Sequence, residues 1–239
     1  MSGLPDLFTS AHRPSRRLSG HVPIYLKYAA NGWRADNVFY ETAKNDHGLP
    51  FNPFKAIVSP RPIGWISTVD KEGRANLAPY SFFNAIGDTP PMVMFSSTGY
   101  KDSSANIDET GEFVCNMVGY DLKDQMNISS ASLPHGQSEF ESSGLEMAAS
   151  RLVKAPRVAK ALTALECKHL KTERLVDLDG NETNSWLVTG QVVAVHIDES
   201  VLADGRLDIT RIRPLSRLGY KDYAVVNEVF EMNRPSGQR

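Results

Sequence analysis

Two long runs of strand-forming residues, 164–176 and 186–197, flank Asp179-Gly180-Asn181, and this hairpin constrains the fold more than any other feature of the chain. Glycine inside a short polar break supplies the positive φ that a tight turn between antiparallel strands requires. A hairpin this long needs further strands to bury its faces. The sequence offers them at 63–69 (IGWISTV), closed by Asp70-Lys71-Glu72-Gly73, at 92–97 (MVMFSS) after Pro90-Pro91, and at 112–118 (EFVCNMV). Helical signals are few: 103–110, stopped by Gly111, then 122–129 and 157–163, while 38–43 reads as a short helix or a short strand. The pattern predicts a mainly β chain, a barrel or a sandwich, and periodicity does not choose between the two.

The 239 residues suffice for one sizeable core with an extension. Residues 1–50 are broken by prolines, glycines and polar clusters and read as an N-terminal extension, 51–226 as the main domain and 227–239 as a tail. Arg13, Arg16 and Arg17 stand in the extension with no apolar run behind them, which excludes a secretory signal. A flexible or partner-docked arm is the simpler reading there, a cleaved transit peptide the other. A net charge of −2 with both signs interspersed gives no support to a nucleic-acid or membrane-surface role, and no apolar run is long enough to span a bilayer. Cys115 and Cys167 each sit among apolar residues and read as two buried thiols of a cytoplasmic protein.

Several site classes lack their motifs. There is no G-x-G-x-x-G, P-loop, H-E-x-x-H or G-x-S-x-G, and the six histidines do not cluster with acids or cysteines, so no metal site is expected. Three stretches remain where chemistry can sit. Ser67 and Thr68 place hydroxyls near the end of a strand entered through Ser59-Pro60-Arg61-Pro62, or are simply its polar edge. Asn76-Leu77-Ala78-Pro79-Tyr80-Ser81-Phe82-Phe83-Asn84 carries a proline that removes a ladder donor, so backbone groups are left for a ligand, or the stretch is an edge strand with aromatic core residues. Lys101-Asp102-Ser103-Ser104-Ala105-Asn106 sets a cation and two hydroxyls at a helix start, where free amides attract phosphate, or Asp102 or Ser103 caps the helix, and both can hold at once, with Lys101 and the serines on the phosphate.

The run SPRPIGWISTVDKEGRANLAPYSFFNAIGDTPPMVMFSS, then KDSSANI, GEFVCNMV, LPHGQSEFESSGLE, LECKHL, GQVVAVHID and RLGYKDYAVV, resembles the flavin reductase-like, FMN-binding split-barrel family in order and spacing. The resemblance covers about residues 51–226 and leaves the first fifty unexplained. It implies a six-stranded, Greek-key-like antiparallel barrel with a few short flanking helices, a homodimer, and non-covalent FMN near the dimer interface. Ser67 and Thr68 would then contact the flavin or its ribityl chain, and the stretch from Asn76 to Asn84 would run along the ring system. Ser97, Lys101, Asp102 and Ser103 would surround the phosphate, with Arg61 as a further cation; the family's usual Lys-Asp-Thr stands here as Lys-Asp-Ser, which keeps the hydroxyl. His196 would approach the nicotinamide or flavin, or is a strand histidine, and His135 would lie near the neighbouring subunit's flavin. Trp65 and Trp186 read as core, and Tyr220 and Tyr223 as pocket-closing or packing residues.

The implied activity passes hydride from NAD(P)H through FMN to free flavin or another small acceptor, with a partner monooxygenase as one consumer of reduced flavin. The alternatives are an FMN-dependent reductase of an activated alkene or other small organic molecule, an electron-carrying flavoprotein, and a ligand-binding or interaction protein on the same barrel.

Overall fold

The computed structural model describes residues 38–134 and 137–235. The chain divides at Pro50/Phe51 into two units. In the first, residues 38–43 form neither helix nor strand. The chain turns there through backbone bonds from the Lys44 and Asn45 amides to Glu41, and the Tyr40 ring meets His47 edge-on at 4.9 Å.

The second unit is built on one antiparallel sheet. Its strands are β1 (Gly64–Val69), β2 (Ala75–Tyr80), β3 (Phe83–Asp88), β4 (Pro91–Thr98), β5 (Glu112–Met117), β6 (Thr163–Val176) and β7 (Glu182–Ile197). Their order across the sheet is β2-β1-β5-β6-β7-β4-β3. The expected hairpin is β6–β7, and the Asp70–Gly73 turn joins β1 to β2. The sheet has seven members because the stretch around Pro79 breaks after Tyr80 and supplies both edge strands. Pro79 lies opposite Trp65 on the edge strand β2, where its missing N–H faces no ladder partner.

The sheet curls until its two ends approach. A Cβ on Gly64 of β1 would lie 2.5 Å from the Phe83 ring of β3, and the Tyr80 and Phe95 rings stand 4.6 Å apart. The edges do not pair, so the barrel stays split. Ile66, Phe95, Phe113, Cys167 and Val188 fill its interior with Ile107, and Tyr80 and Phe83 pack against them. A second cluster, around Trp65, Leu77, Met126, Phe140 and Leu215, covers the outside of β1 and β2. The chain is therefore a mainly β, antiparallel split barrel. Both cysteines are buried free thiols, and among the described residues no helix is long and apolar enough to cross a membrane.

Short helices flank the sheet, among them α1 (Asp102–Thr110), α2 (Lys123–Ile128) and α3 (Glu139–Ser142). Gly111 ends α1 at φ 74°, a conformation costly for any residue with a Cβ, and its amide bonds the Ile107 carbonyl at 2.8 Å. The helix expected at 157–163 does not form. Arg157–Val158 instead pairs with Met147–Ala148, and the Val158 amide donates to Asn116 Oδ1 at 2.8 Å, which holds that segment extended against β5. Residues 227–235 carry no helix or strand.

Candidate functional site

The face alternation of β1 and β2 decides which polar groups meet. Thr68 and Ile66 point inward, and Trp65 and Ser67 point outward. Asn76, beside Thr68 in the β1–β2 register, donates from Nδ2 to Ser103 Oγ at 2.9 Å and more weakly to Thr68 Oγ1 at 3.4 Å. Asn106 of α1 donates to the same Thr68 hydroxyl at 3.0 Å. This small network fixes the first turns of α1 against β1 and β2.

Beside it opens a cleft of about 300 Å³, lined by Asn76, Ala78, Pro79 and Tyr80 of β2, by Lys101, Asp102 and Ser103, by residues 129–133, and by Glu139 of α3. Lys101 is the N-cap residue of α1, with φ −106° and ψ 175°, and its side chain makes no capping bond. The capping expected of Asp102 or Ser103 thus falls one residue earlier, and both lie inside the helix. The first amides of α1 have no intrahelical acceptor, and with the helix dipole they favour an anion. Ser104, fully buried in the same turn, has a hydroxyl with no hydrogen-bond partner. The Tyr80 hydroxyl interacts with Ser103 and Ser97; burial pushes its pKa up, and the two serines partly offset this. Ser97 in turn donates to the Gly99 carbonyl at 2.9 Å.

Glu139 carried no role in the sequence reading beyond lying in the LPHGQSEFESSGLE segment. Its side chain reaches β2, where Oε2 accepts the Leu77 amide at 2.9 Å. Burial raises the pKa of its carboxyl, and neighbouring Asp102 adds to the rise. The role of Asn106 and the 129–133 loop were also missed; the loop is tied to the core through Ser129, whose hydroxyl accepts Trp65 Nε1 at 2.9 Å.

The structure thus brings together Asn76, Ala78, Pro79, Tyr80, Lys101, Asp102 and Ser103, with Thr68 and Ser97 one contact behind. Other expected residues lie elsewhere. Ser67 is buried on the outer face, donating to the Pro156 carbonyl and accepting from Asn116. The Leu77 side chain is core. Ser81 sits at the break between β2 and β3. The Phe82 ring lies under Lys55 and Arg61, Phe83 packs in the barrel, and the exposed Asn84 accepts the Ala85 amide. Arg61 is buried, its guanidinium bonded to the carbonyls of Lys55, Val58 and Leu218.

His196 stands on β7 ten residues beyond Trp186, which pairs with Ser97, about 30 Å along the strand at ~3.3 Å per residue. Its Nε2 meets the fully buried Glu166 carboxylate, which also accepts the amides of Arg151 (2.7 Å), Leu152 (2.6 Å) and Val153 (3.1 Å). His135 falls outside the described residues. Trp65 is core as expected. Trp186 is only half-buried, its ring tilted 60° against Tyr100 at 4.8 Å, and Tyr220 and Tyr223 pack against Phe51 and Arg217.

A split antiparallel barrel with a cation and hydroxyls at a helix start in one edge cleft is an arrangement that suits a small anionic ligand. Comparison with known proteins makes this specific. The chain belongs to the family described as the flavin reductase like domain, whose model matches residues 58–220. It is 36% identical over 173 residues to an uncharacterized protein of Aquifex aeolicus, covering 70% of this chain and 85% of that one. Among solved structures it is similar to nitrilotriacetate monooxygenase component B from Bacillus cereus, at 30% identity and TM-score 0.72, covering 82% of this chain and all of the other (100%). It is also similar to a 2-nitrobenzoate 2-nitroreductase of Pseudomonas fluorescens, at 29% identity and TM-score 0.68, covering 78% and 90%.

Proposed function

We propose that this protein is an FMN-dependent oxidoreductase that passes hydride from NAD(P)H to free flavin or another small acceptor. The observation that carries the reading is the cleft where β2 meets the start of α1. Its donor set fits a phosphate-bearing flavin: the Lys101 ammonium, the Ser103 hydroxyl and the positive end of the α1 dipole together suit a phosphate. Ala78 and Pro79 present a flat, small-residue wall that lets a planar ring approach the main chain of the edge strand. When bound, FMN supplies the redox chemistry, and the protein supplies orientation and electrostatics. Asn76 holds Ser103 and Thr68 in place, and Tyr80 closes the wall between Ser97 and Ser103.

His196 enters this reading only through a second subunit, because Glu166 holds it on the far half of β7. The reading therefore includes a homodimer, in the cytoplasm. Likeness to a monooxygenase component B supports a partner monooxygenase as consumer of reduced flavin. Likeness to a nitroreductase supports a second reading, in which the acceptor is a small organic molecule such as a nitroaromatic or an activated alkene.

The test is the visible spectrum of the protein under anaerobic conditions with FMN, followed by NADH and NADPH in turn. Bleaching of bound flavin by one nicotinamide is expected. A chain that takes up no FMN at excess cofactor removes the reading, and flavin that only a chemical reductant bleaches replaces it with an electron carrier. Faster NAD(P)H consumption on adding an enone or nitroarene selects the second acceptor class.

A further inference from the structure

The cleft holds a buried carboxyl that the flavin reading does not use. Glu139 is 7% exposed, lines the cleft, and points its carboxyl at β2 from the short helix α3. One oxygen, Oε2, is fixed by the Leu77 amide at 2.9 Å. The titratable groups that line the cleft with it, among the described residues, are Asp102 and Lys101 at the start of α1 and Tyr80 on β2. A carboxylate here has little water, an acidic neighbour and one cation that a phosphate would compete for. A dianionic phosphate arriving beside Lys101 adds negative charge in the same confined space. Of the two carboxyls that line the cleft, Glu139 is the one buried, so proton uptake there relieves the larger penalty.

We propose that Glu139 is the proton acceptor of the cleft: it takes up one proton from solvent when a phosphate-bearing flavin binds at the start of α1, and as the neutral acid it donates a hydrogen bond into the cleft while Oε2 keeps the Leu77 amide. Glu139 thereby acts as a positioning residue, holding β2 and tuning flavin affinity to pH. The inference rests on the flavin reading of the site. Its direction follows from burial and from Asp102, which already favour the neutral acid before any ligand arrives. By linkage, a ligand that raises an acid's pKa binds more tightly at low pH and more weakly as pH rises.

The test compares FMN with riboflavin, which lacks the phosphate, on the full-length protein. Binding constants are measured from about pH 6 to 9, with proton uptake followed in weakly buffered solution. Above about pH 7 the phosphate is already fully ionised, since its second pKa is about 6, so its own titration drops out. Wild type is expected to take up protons with FMN and to lose FMN affinity as pH rises, by roughly tenfold for each unit by which binding raises the carboxyl's pKa. Riboflavin binding should change little with pH. Glu139→Gln, permanently neutral, should bind FMN with a flat profile and without proton uptake. Because that variant can misfold, the infrared difference spectrum of wild type on adding FMN gives a second readout: a protonated-carboxyl C=O band should appear. FMN binding with no proton uptake and no such band, or the same pH slope in Glu139→Gln, overturns the inference and leaves the flavin reading standing. Failure of wild type to bind FMN at any pH overturns the flavin reading itself.

Discussion

Asn76 Nδ2 donates to Ser103 Oγ at 2.9 Å, and this bond joins the edge strand β2 to the first turn of α1 across 27 residues of sequence. Both residues are buried, and Thr68, which also receives Asn106, completes the group. Replacing Asn76 by Ala leaves the buried Ser103 and Thr68 hydroxyls each one partner short, a loss of about 1–3 kcal/mol. Asn76→Ala is expected to lower the denaturant midpoint and to weaken FMN binding about tenfold, because the wall of the cleft loses its anchor. Flavin affinity equal to wild type would separate the network from the site.

Lys101 is the cation that the cleft offers to a phosphate. One charge-assisted hydrogen bond contributes about 1.5–3 kcal/mol. Lys101→Ala should therefore weaken FMN by roughly tenfold or more, leave riboflavin nearly unchanged, and flatten the salt dependence of FMN binding. Equal losses for the two flavins would place Lys101 outside the phosphate site. Fluorescence quenching titrations of both flavins at two salt concentrations decide this.

Glu166 binds the 151–153 loop and His196 to β6 through a carboxylate with no exposure to water. Burial works to raise its pKa, but the hydrogen bonds from His196 and from the Arg151 and Leu152 amides outweigh it and hold the carboxyl below the usual range. A carboxyl lowered on folding stabilises the fold above its unfolded pKa, about 4.3, and that stability is lost as pH falls through the folded value. Wild type should lose stability on acidification below about pH 5. Glu166→Gln should be less stable at neutral pH by about 2–4 kcal/mol, with a shallower acid slope. Urea unfolding at several pH values measures both, and an unchanged acid slope would show that Glu166 is not the titrating group.

Gly190 on β7 lies where the sheet has no room for a side chain. A Cβ there would stand 2.5 Å from the Phe113 ring and 3.1 Å from the Lys168 carbonyl. Gly190→Ala is expected to cost about 1–3 kcal/mol by overpacking, and Phe113→Leu in the same chain should recover part of it. Thermal unfolding of the single and double variants tests the contact, and strictly additive losses would contradict it.

Local sequence determined much of the fold. Strand-forming runs with turn residues between them marked β1, β4, β5, β6 and β7, because pairing and turn geometry are written into neighbouring residues, but the division of the stretch after Gly73 into β2 and β3 was not marked. Gly111 ends α1 where the sequence reads a stop, and Pro79 confines its strand to an edge because it cannot donate to a ladder. The cleft's two principal walls, 76–80 and 101–103, were also visible as an interrupted strand and a cation at a helix start. The tertiary structure decided which residues of those stretches face each other. β1 is buried at every position on both faces, so alternation separates Ser67 from Thr68 without saying which of them looks inward. Only the curl of the sheet and the seating of α1 turn Thr68 toward Asn76 and send Ser67 to Pro156. Residues 157–163 are not a helix, because Arg157–Val158 pairs as a short strand and Asn116, 42 positions away, captures the Val158 amide. Glu139 meets Leu77 across 62 residues, and His196 is held by Glu166 across 30, away from the cleft of its own chain. Contacts of that span carry no local periodicity: their cost in chain entropy is met by burial in the finished core, so they exist only once the split barrel has folded around them.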